Sequence, residues 1–379
     1  MRFFLIIIAA LPALLSVASA ALAQTCVTTS CHAEYHQATF VHAPVSSDCT
    51  ACHEPVNANH PLGGGDFRLV ASGADLCYRC HDNMITEARY HEPVKLGRCT
   101  YCHDVHGSEN ASLLVKSVNS LCLNCHTSKR SLEGMDNLHP VLVEDGCTAC
   151  HAPHSAKYKE LLPAEGADFC AECHAEIRML TKDAKVKHGA MDDGCVACHD
   201  PHGTGYPRMF ATPEKKFCVS CHEDIGDQIK VAKSQHQPIV EGTCWACHNP
   251  HGSDYYRILE SYYPEPFYVG YSENQYQLCF TCHDNRPFIY ERTSELTGFR
   301  NGDRNLHYLH VNKPAKGRVC KTCHGVHGAD QKKLVMSKVP GFGRWQIPIY
   351  MQESEFGTTC TVGCHKPKTY HPFRRFPND

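Results

Sequence analysis

The longest apolar stretch of the chain lies at its N-terminus, where Phe3 to Leu15 carries no charged residue. Arg2 precedes this run, and small residues follow it up to an A-x-A site that ends at Ala23. This order of a positive residue, a short apolar segment and small residues is typical of a secretory signal. We therefore predict that residues 1–23 form a signal peptide and that the exported chain begins at Gln24. The alternative is an uncleaved membrane anchor, for which the run is short.

Beyond this segment the pattern of apolar positions predicts little regular structure. The best helix candidates run from His174 to Lys187 and from His222 to Ser234. Most other segments are too short, or too rich in Pro and Gly, for long helices, and no clear strand alternation is present. The predicted fold class is mostly coil with short α-helices and little or no β-structure, in an elongated repeat array.

Composition changes this picture, because the 379 residues include 26 Cys and 28 His. The formal net charge of −3 gives no broad basic surface, so nucleic acid is not an expected partner. No later segment is apolar enough to span a membrane, so we expect no transmembrane span after cleavage. Large aliphatic residues are too thinly spread for one large core, and something other than side chains must fill the interior.

The cysteines form a recurring motif, Cys-x-x-Cys-His, which is the attachment signal for c-type haem. Two thiols three positions apart can each bond a haem vinyl group, and the adjacent His supplies the proximal iron ligand. Eleven standard motifs are present: Cys49, Cys52 and His53; Cys77, Cys80 and His81; Cys99, Cys102 and His103; Cys122, Cys125 and His126; Cys147, Cys150 and His151; Cys170, Cys173 and His174; Cys195, Cys198 and His199; Cys218, Cys221 and His222; Cys244, Cys247 and His248; Cys279, Cys282 and His283; Cys320, Cys323 and His324.

The remaining four Cys form two stretched motifs, and each keeps the Cys-His pair: Cys26, Cys31 and His32; Cys360, Cys364 and His365. The alternative for each is a local disulfide beside a chance His. With both included, the sequence predicts thirteen covalently bound haem c groups and leaves no thiol over. A zinc site is disfavoured, because zinc does not require His directly after the second Cys, and here every motif has it.

The other histidines are also patterned, which marks them as candidate distal iron ligands. One class lies eleven to fourteen residues before a proximal His: His42, His91, His139, His188, His236 and His310. A second class lies three residues after a proximal His, in motifs that we call HxxH motifs: His106, His154, His202, His251 and His327, with His60 as a stretched member. We expect His36 and His371 to serve the two end haems, and His307 to be spare.

Gly107, Gly203, Gly252 and Gly328 directly follow four of the HxxH histidines. A residue that tolerates positive φ at this place would let the chain turn and aim the imidazole. Fifteen non-proximal histidines are enough for thirteen irons, so the sequence predicts bis-His coordination with no open iron. No Met occupies a repeated position.

The motifs alternate between the HxxH kind and a kind preceded by Leu or Phe, which we call single motifs. One of each makes a unit with a period near 48 residues, typical of a repeat array. We divide the chain into residues 24–75, an N-terminal haem pair; residues 76–254, four paired repeats with eight haems; and residues 255–379, a three-haem region with longer Tyr- and Pro-rich loops. These loops cover exposed haem faces or, alternatively, form a docking surface.

The paired motifs resemble the doubled CxxCH repeats of multihaem cytochromes c, found in bacteria that respire metals and other insoluble acceptors. The upstream histidines also resemble those of cytochrome c3, which implies that each ligates the haem of the motif that follows it. Which neighbouring haem the downstream class would ligate stays open. The resemblance further implies a haem-packed array and electron transfer in a respiratory or extracellular pathway.

We therefore expect an electron carrier rather than an enzyme, acting as a molecular wire. A multihaem reductase of nitrite, hydroxylamine or sulfur oxyanions is the first alternative, and a polymerising extracellular filament is the second. The expected partners are redox proteins at exposed end haems, with an outer-membrane porin or self-assembly as further options. The expected location is the periplasm, with an outer-membrane-associated or extracellular position as alternatives.

Overall fold

The computed structural model describes residues 31–57, 60, 67–341 and 343–377. The predicted signal peptide, Cys26 and the cleavage site lie outside these residues. By contacts between residues the chain forms two compact units. The first comprises residues up to Cys125 together with Pro153–Ser155, and the second comprises His126–Ala152 and Ala156 onward.

Short helices carry most of the regular structure, as the sequence predicts. The α-helices are α1 (Ala74–Cys77), α2 (Glu92–Lys95), α3 (Val118–Leu123), α4 (Pro140–Glu144), α5 (Gly166–Ala171), α6 (Ala175–Asp183), α7 (Glu214–Val219), α8 (Glu223–Val231), α9 (Gln237–Glu241), α10 (Gln277–Phe280), α11 (Arg286–Ile289) and α12 (Leu306–Val311). The two predicted helix candidates are confirmed as α6 and α8. Both stop early because the chain becomes extended after them, and Val186 then pairs with Ser253.

Among the described residues, short segments of 3-10 helix outnumber the α-helices. They are Ala33–His36, Ala43–Ser46, Cys49–Ala51, Cys99–Tyr101, Ala111–Leu113, Thr127–Leu132, Cys147–Ala149, Lys159–Leu161, Gly189–Asp193, Cys195–Ala197, Pro207–Met209, Cys244–Ala246, Tyr256–Ile258, Glu273–Tyr276, Cys320–Thr322 and Lys332–Leu334. Six of these turns begin at the first Cys of a motif, so the cysteine spacing and this local structure coincide.

The strands up to β14 are two or three residues long: β1 (Phe40–Val41), β2 (His53–Pro55), β3 (Phe67–Leu69), β4 (Arg89–Tyr90), β5 (Gly107–Ser108), β6 (Asn137–Leu138), β7 (Ser155–Ala156), β8 (Gly203–Thr204), β9 (Ser234–Gln235), β10 (Tyr268–Val269), β11 (Arg300–Asn301), β12 (Arg304–Asn305), β13 (Gly317–Arg318) and β14 (Gly328–Ala329). In the first unit β1 pairs with β5 and β2 with β3; in the second, β6 pairs with β8, β9 with β14, β10 with β13 and β11 with β12, all antiparallel.

A four-stranded antiparallel sheet near the C-terminus departs from the expected scarcity of β-structure. It consists of β15 (Lys338–Pro340), β16 (Gln346–Ser354), β17 (Gly357–Val362) and β18 (His365–Tyr370), in that order. Ile347 and Ile349 alternate with more exposed residues on β16 and pack on Val339. Pro348 sits between them, and a Pro is unusual inside a strand. Because of this Pro, the alternation of buried and exposed residues did not indicate a strand in the sequence.

The larger apolar clusters among the described residues lie beyond residue 260. One surrounds Tyr276, Val311 and Val319, and the other surrounds Val339, Ile347 and Ile349. Within the repeats few apolar side chains are buried, and those few are mostly Ala and Ile. This distribution agrees with the expectation that side chains alone do not form the interior of the repeat region.

The Tyr-rich insertion after Asp254 is partly a core segment. Tyr276 is fully buried, and Tyr263 and Tyr271 pack against its cluster. The Tyr263 hydroxyl accepts the backbone N–H of Lys321 at 3.0 Å. These three tyrosines therefore surround the motif cysteines Cys279 and Cys320 rather than forming an open surface, although Tyr262 nearby stays exposed.

Candidate functional site: a series of facing imidazoles

The two kinds of motif that the sequence distinguishes have different backbone structures. The HxxH motifs and the motif at Cys49 begin with a turn of 3-10 helix at their first Cys. In the single motifs the first Cys lies on an α-helix, as Cys170 does on α5 and Cys218 on α7. The Leu or Phe before that Cys belongs to the same helix, for example Phe169 on α5. In standard motifs of both kinds the His backbone N–H bonds to the carbonyl of the first Cys, as His174 does to Cys170 at 3.0 Å.

Each of ten proximal imidazoles faces the imidazole of one other His at nearly the same distance. The separations of ring centres span 5.9 to 6.2 Å. The pairs are His32 with His60, His53 with His106, His81 with His42, His103 with His154, His151 with His202, His174 with His139, His199 with His251, His222 with His188, His248 with His327 and His283 with His236.

This separation fits a haem iron between the rings. A ring nitrogen lies roughly 1 Å from the centre of its imidazole, and a metal–nitrogen bond is about 2 Å long, so two axial imidazoles on one iron have centres about 6 Å apart. Direct stacking would bring the rings closer together. Most pairs are also close to parallel, with an interplanar angle of 5° for His151 and His202. His139 and His174 are the exception at 83°.

Four of the upstream histidines do not face the motif that follows them, and the expectation taken from cytochrome c3 is wrong for these four. His42 precedes His53 in sequence but faces His81, 6.0 Å away. His139 likewise precedes His151 in sequence but faces His174. His188 and His236 behave in the same way, toward His222 and His283. In each of these cases the upstream His faces the next single motif, one motif further along the chain.

The downstream histidines, whose partner the sequence left open, face backward to the preceding motif of the HxxH series. His106 faces His53, His154 faces His103, and His202 faces His151. An Asx turn positions several of them: Asp200 accepts the backbone N–H of His202 at 3.0 Å. The same carboxylate lies 3.2 Å from Nδ1 of His202, which directs Nε2 of that ring toward His151.

Backbone hydrogen bonds beside short strands join several upstream histidines to downstream histidines. The backbone N–H of His42 bonds to the carbonyl of His106 at 2.9 Å, and that of His139 bonds to His202 at 3.2 Å. In both cases the residues before the first His pair with those after the second, as β1 with β5 and β6 with β8. Each such bond joins two candidate distal ligands whose rings face proximal histidines of different motifs.

The positive φ expected at the glycines after the HxxH histidines is confirmed at two of the four. Positive φ occurs at Gly203 (142°) and Gly252 (129°) but is not shared by Gly107 and Gly328. All four lie close to a neighbouring segment, with a backbone oxygen nearest at Gly203 and an Ala Cβ nearest at the other three. A Cβ at Gly203 would lie 2.7 Å from the carbonyl oxygen of Asn137, and the nearest atom at the other three would be 2.7 to 2.9 Å away. Glycine is therefore present because the paired strand leaves no space for a side chain.

The proximal imidazoles of the HxxH motifs are fixed from behind by a backbone carbonyl nine residues further along. The Nδ1 to oxygen distances are 2.8 Å for His103 and Ser112, 2.6 Å for His151 and Glu160, 2.7 Å for His199 and Arg208, 2.9 Å for His248 and Arg257, and 3.0 Å for His324 and Lys333. A carbonyl can only accept, so Nδ1 carries the proton and Nε2 keeps the lone pair that iron needs.

Burial keeps several distal imidazoles neutral, which iron ligation requires. The pKa values of His154, His202, His236, His251 and His327 are all lowered, with burial as the main cause and a nearby cation as a further cause. A neutral imidazole offers a free lone pair, whereas a protonated one cannot bind a metal.

In the C-terminal region the structure places the histidines differently from the sequence prediction. His307, expected to be spare, lies near His324, whereas His310 lies near His365 rather than His324. Both lie on α12, whose first turn is capped by the Asn305 side chain. Burial lowers the pKa of both His307 and His310 to about 4. The sequence offered one signal for this, the spacing of three residues between them, which places both on one helix face.

The structure does not pair His371 with a terminal motif as expected. Its Nδ1 accepts the backbone N–H of Phe373 at 3.1 Å, and its ring contacts that of Phe373. His32, the proximal residue of the first motif, faces His60 instead of the expected His36. The side chain of His36 lies outside the described part of the structure.

The motif sulfurs of consecutive motifs adjoin within each unit. In the first unit Cys77 interacts with Cys52 and hydrogen-bonds Cys99, and Cys102 interacts with Cys125. In the second unit the interacting pairs are Cys150 with Cys173, Cys170 with Cys195, Cys198 with Cys221, Cys218 with Cys244, Cys247 with Cys282, Cys279 with Cys320, and Cys323 with both Cys360 and Cys364.

Glu214, Cys218 and Cys244 form the one cluster of metal-ligand type found among the described residues, with ligand atoms within 4.8 Å of one another. Both sulfurs belong to haem attachment motifs. The Glu214 carboxylate accepts the backbone N–H of Cys244 at 3.0 Å, so it has a structural partner. This cluster follows from the packing of two adjacent motifs and does not indicate a separate metal site.

Comparison with known proteins supports the motif assignment. A family defined by a doubled CXXCH motif matches residues 42–86, 91–131, 139–179, 188–227 and 236–287, more than half of the chain. Each matched unit begins at an upstream His. For the four upstream histidines whose ring partner is known, the same unit also contains the single motif that the His faces. These five units indicate about ten sites of covalently bound haem c.

Among curated proteins, the multiheme cytochrome MtrA of Shewanella baltica (strain OS185) is 29% identical over 115 residues. The match covers 28% of this chain and spans about a third of the length of that relative, 33%. No helix in the described ranges has both the length and the apolar character needed to cross a membrane. On the doubled motifs that fill most of its length, the chain belongs to the multihaem c-type cytochromes, a family of electron-transfer proteins.

Proposed function

We propose that this protein carries thirteen haems, each held between two imidazoles, and that it conducts electrons as a molecular wire in respiratory or extracellular electron transfer. The observation that carries the proposal is the constant separation of about 6 Å between facing imidazole centres, which is the spacing of two axial ligands on one iron. Bound haem iron supplies reversible one-electron chemistry.

The side chains supply everything else that such a wire needs. The thirteen proximal ligands are those of the motifs, and the proposed distal ligands are His42, His60, His91, His106, His139, His154, His188, His202, His236, His251, His307, His310 and His327. In the sequence repeat, His91 and His126 occupy the same positions as His42 and His81. With both axial positions filled by rigidly held rings, little rearrangement accompanies a change of oxidation state.

Contacts between motif sulfurs support electron transfer from site to site. The sulfurs of Cys218 and Cys244 lie within 4.8 Å of each other. Because each sulfur joins the edge of a porphyrin, sulfurs in contact bring the edges of successive haems together. Within each compact unit we therefore propose that electrons move between neighbours in chain order.

A multihaem reductase is the competing function. It needs one iron with an open or displaceable position, and the proposed ligand set fills all thirteen. The pairing of His307 with His324 and of His310 with His365 rests on their electrostatic interaction, so the C-terminal irons are where a vacancy would be sought. A resting protein with only low-spin ferric haem supports the carrier, whereas one high-spin haem supports the reductase.

Location and partners are proposed on the sequence alone. We propose that residues 1–23 direct export and that the mature chain acts in the periplasm or at the outer membrane. Its proposed partners are redox proteins that meet exposed haem edges, and a porin or further copies of the chain are alternatives. Cell fractionation tests the location, and electron microscopy of the purified protein distinguishes filaments from separate molecules.

The central experiment is an intact mass of the purified mature protein together with its electronic spectrum. We expect thirteen haem additions and a low-spin spectrum. A variant in which Cys360 and Cys364 are both Ala is expected to lose one addition, and one with Cys31→Ala and Cys26→Ala another. If the unmodified protein carries eleven or twelve additions, one or both stretched motifs are not haem sites and the proposed count is wrong.

A further inference from the structure

Five two-residue turns have both residues in the left-handed conformation. In chain order they are Ser112-Leu113, Glu160-Leu161, Arg208-Met209, Arg257-Ile258 and Lys333-Leu334, with φ from 51° to 58°. None of these residues is a glycine. A left-handed conformation is costly for such residues, and most of all for a β-branched one such as Ile258. Ten strained residues in five equivalent places indicate a shared function.

Both carbonyls of each turn are directed at the HxxH motif nine residues earlier. The first accepts from Nδ1 of the proximal His, at 2.8 Å for Ser112 and His103. The second accepts the backbone N–H of the residue after that His, at 2.8 Å for Leu113 and Asp104. The other four turns make the same second bond at 2.7 to 2.9 Å, and the shortest joins Ile258 and Asn249.

Four of the single motifs differ in this respect. Among the described residues, no carbonyl nine positions on bonds to Nδ1 of His81, His174, His222 or His283. In two of them an α-helix begins directly after the His, α6 after His174 and α8 after His222, and a helix there excludes a turn of this kind. The two kinds of motif thus differ in what lies behind the proximal imidazole.

We propose that the left-handed turns are positioning elements, which fix the tautomer and ring plane of the proximal imidazole and set the reduction potentials of the HxxH haems below those of the single-motif haems. A hydrogen bond to Nδ1 makes the imidazole a stronger donor, which favours ferric iron. Because the two kinds of motif alternate, haems of lower and higher potential alternate along the chain. This inference rests on the proposed bis-His wire.

The turn at Ser112 offers the cleanest test, because this side chain is small and exposed. Ser112→Gly and Ser112→Asn tolerate positive φ, so they retain the carbonyl bond and act as matched controls. Ser112→Val disfavours that conformation, and Ser112→Pro excludes it because the proline ring holds φ near −65°. All four variants are purified with haem, and intact mass confirms an unchanged haem count.

The measurements are a potentiometric titration and the electron paramagnetic resonance spectrum of the ferric protein. We expect about one thirteenth of the titration amplitude to move to higher potential in Ser112→Val and Ser112→Pro, with changed g values for one low-spin haem. Ser112→Gly and Ser112→Asn should match the unmodified protein. The inference fails if the Val and Pro variants keep the original titration, or if Gly shifts it as much as Val does.

These outcomes are separate from those that test the wire itself. Failure of the bis-His proposal appears in the unmodified protein, as high-spin haem or a low haem count. Failure of the present inference leaves the unmodified protein low-spin and removes only the difference between the Ser112 variants. If Ser112→Pro does not fold, Ser112→Val decides the question against Ser112→Gly.

Discussion

The imidazole rings of His151 and His202 lie 6.1 Å apart with their planes within 5° of parallel. They belong to consecutive HxxH motifs. Nδ1 of His151 lies beside the backbone oxygen of Glu160, and Nδ1 of His202 lies beside the carboxylate of Asp200. In the proposed ligand set, one motif therefore supplies a proximal ligand to its own site and a distal ligand to the previous one.

Removal of the His202 ring should open one iron. We expect His202→Ala to keep the full haem count and to convert one haem from low-spin to high-spin, which binds carbon monoxide when reduced. Electronic and electron paramagnetic resonance spectra measure the change. His371→Ala is the control, because His371 contacts Phe373 and lies outside the proposed ligand set. High-spin haem in both variants, or in neither, would contradict the assignment.

The same measurement on His307 decides which residue completes the site of His324. His307 is largely buried, its Nδ1 lies 3.0 Å from the Thr297 hydroxyl, and it interacts electrostatically with His324. We expect His307→Ala to give one high-spin haem, and His310→Ala to give another at a different site. A fully low-spin His307→Ala protein would restore His307 to the spare role that its sequence position suggested.

Close packing at Gly203 should make this position sensitive to a methyl group. A Cβ there would lie 2.7 Å from the Asn137 carbonyl and 2.9 Å from Cα of Leu138, and φ is 142°. We expect Gly203→Ala to reduce the free energy of unfolding by about 1–3 kcal/mol. Gly205→Ala, with open space at its Cβ, is the matched control and should change it by less than about 1 kcal/mol. Thermal or denaturant unfolding gives both values, and equal losses would rule out the strand contact as the cause.

The positive charge of Arg318 should raise the reduction potential at the C-terminal end. With Tyr268, Lys313 and Lys316 it lines a cavity of about 450 Å³. Burial raises the pKa of Cys323 to about 11, and the charge of Arg318 opposes that rise. A nearby cation favours the more reduced form of iron, so Arg318→Gln should move a small part of the titration to lower potential.

Lys332→Gln serves as the control for that experiment, because Lys332 is exposed and pairs with Glu353. It removes the same charge from the same end of the sequence. An equal shift in both variants would mean that overall charge, rather than the position of Arg318, sets the effect.

The sequence could predict the attachment chemistry because that chemistry is local. Cys170, Cys173 and His174 lie within five residues, and the spacing of a single helical turn fixes their relative positions. Helices α6 and α8 were predictable for the same reason, since their apolar and polar positions repeat within a few residues. The alternation of two kinds of motif was visible as well, because a Leu or Phe directly precedes the first Cys of each single motif.

Distal pairing could not be predicted, because it joins residues that are far apart in sequence. His42 lies nearer in sequence to His53, but the strand pair β1 and β5 fixes it beside His106 and leaves its ring to face His81. The proposal of His307 rather than His371 as a ligand also rests on the fold, because His307 on α12 contacts Phe288 and Phe299, whereas His371 contacts Phe373. Pro348 concealed one strand of the C-terminal sheet.

By itself, then, the sequence determined that the chain attaches many haems and holds enough histidines to close their irons, because covalent attachment depends only on neighbours along the chain. The tertiary structure alone decided which imidazole faces which, and which carbonyl orients it. Those choices depend on close backbone approaches, such as the one at Gly203, and on strained turns such as Ser112-Leu113. Their geometry arises only when distant segments pack together.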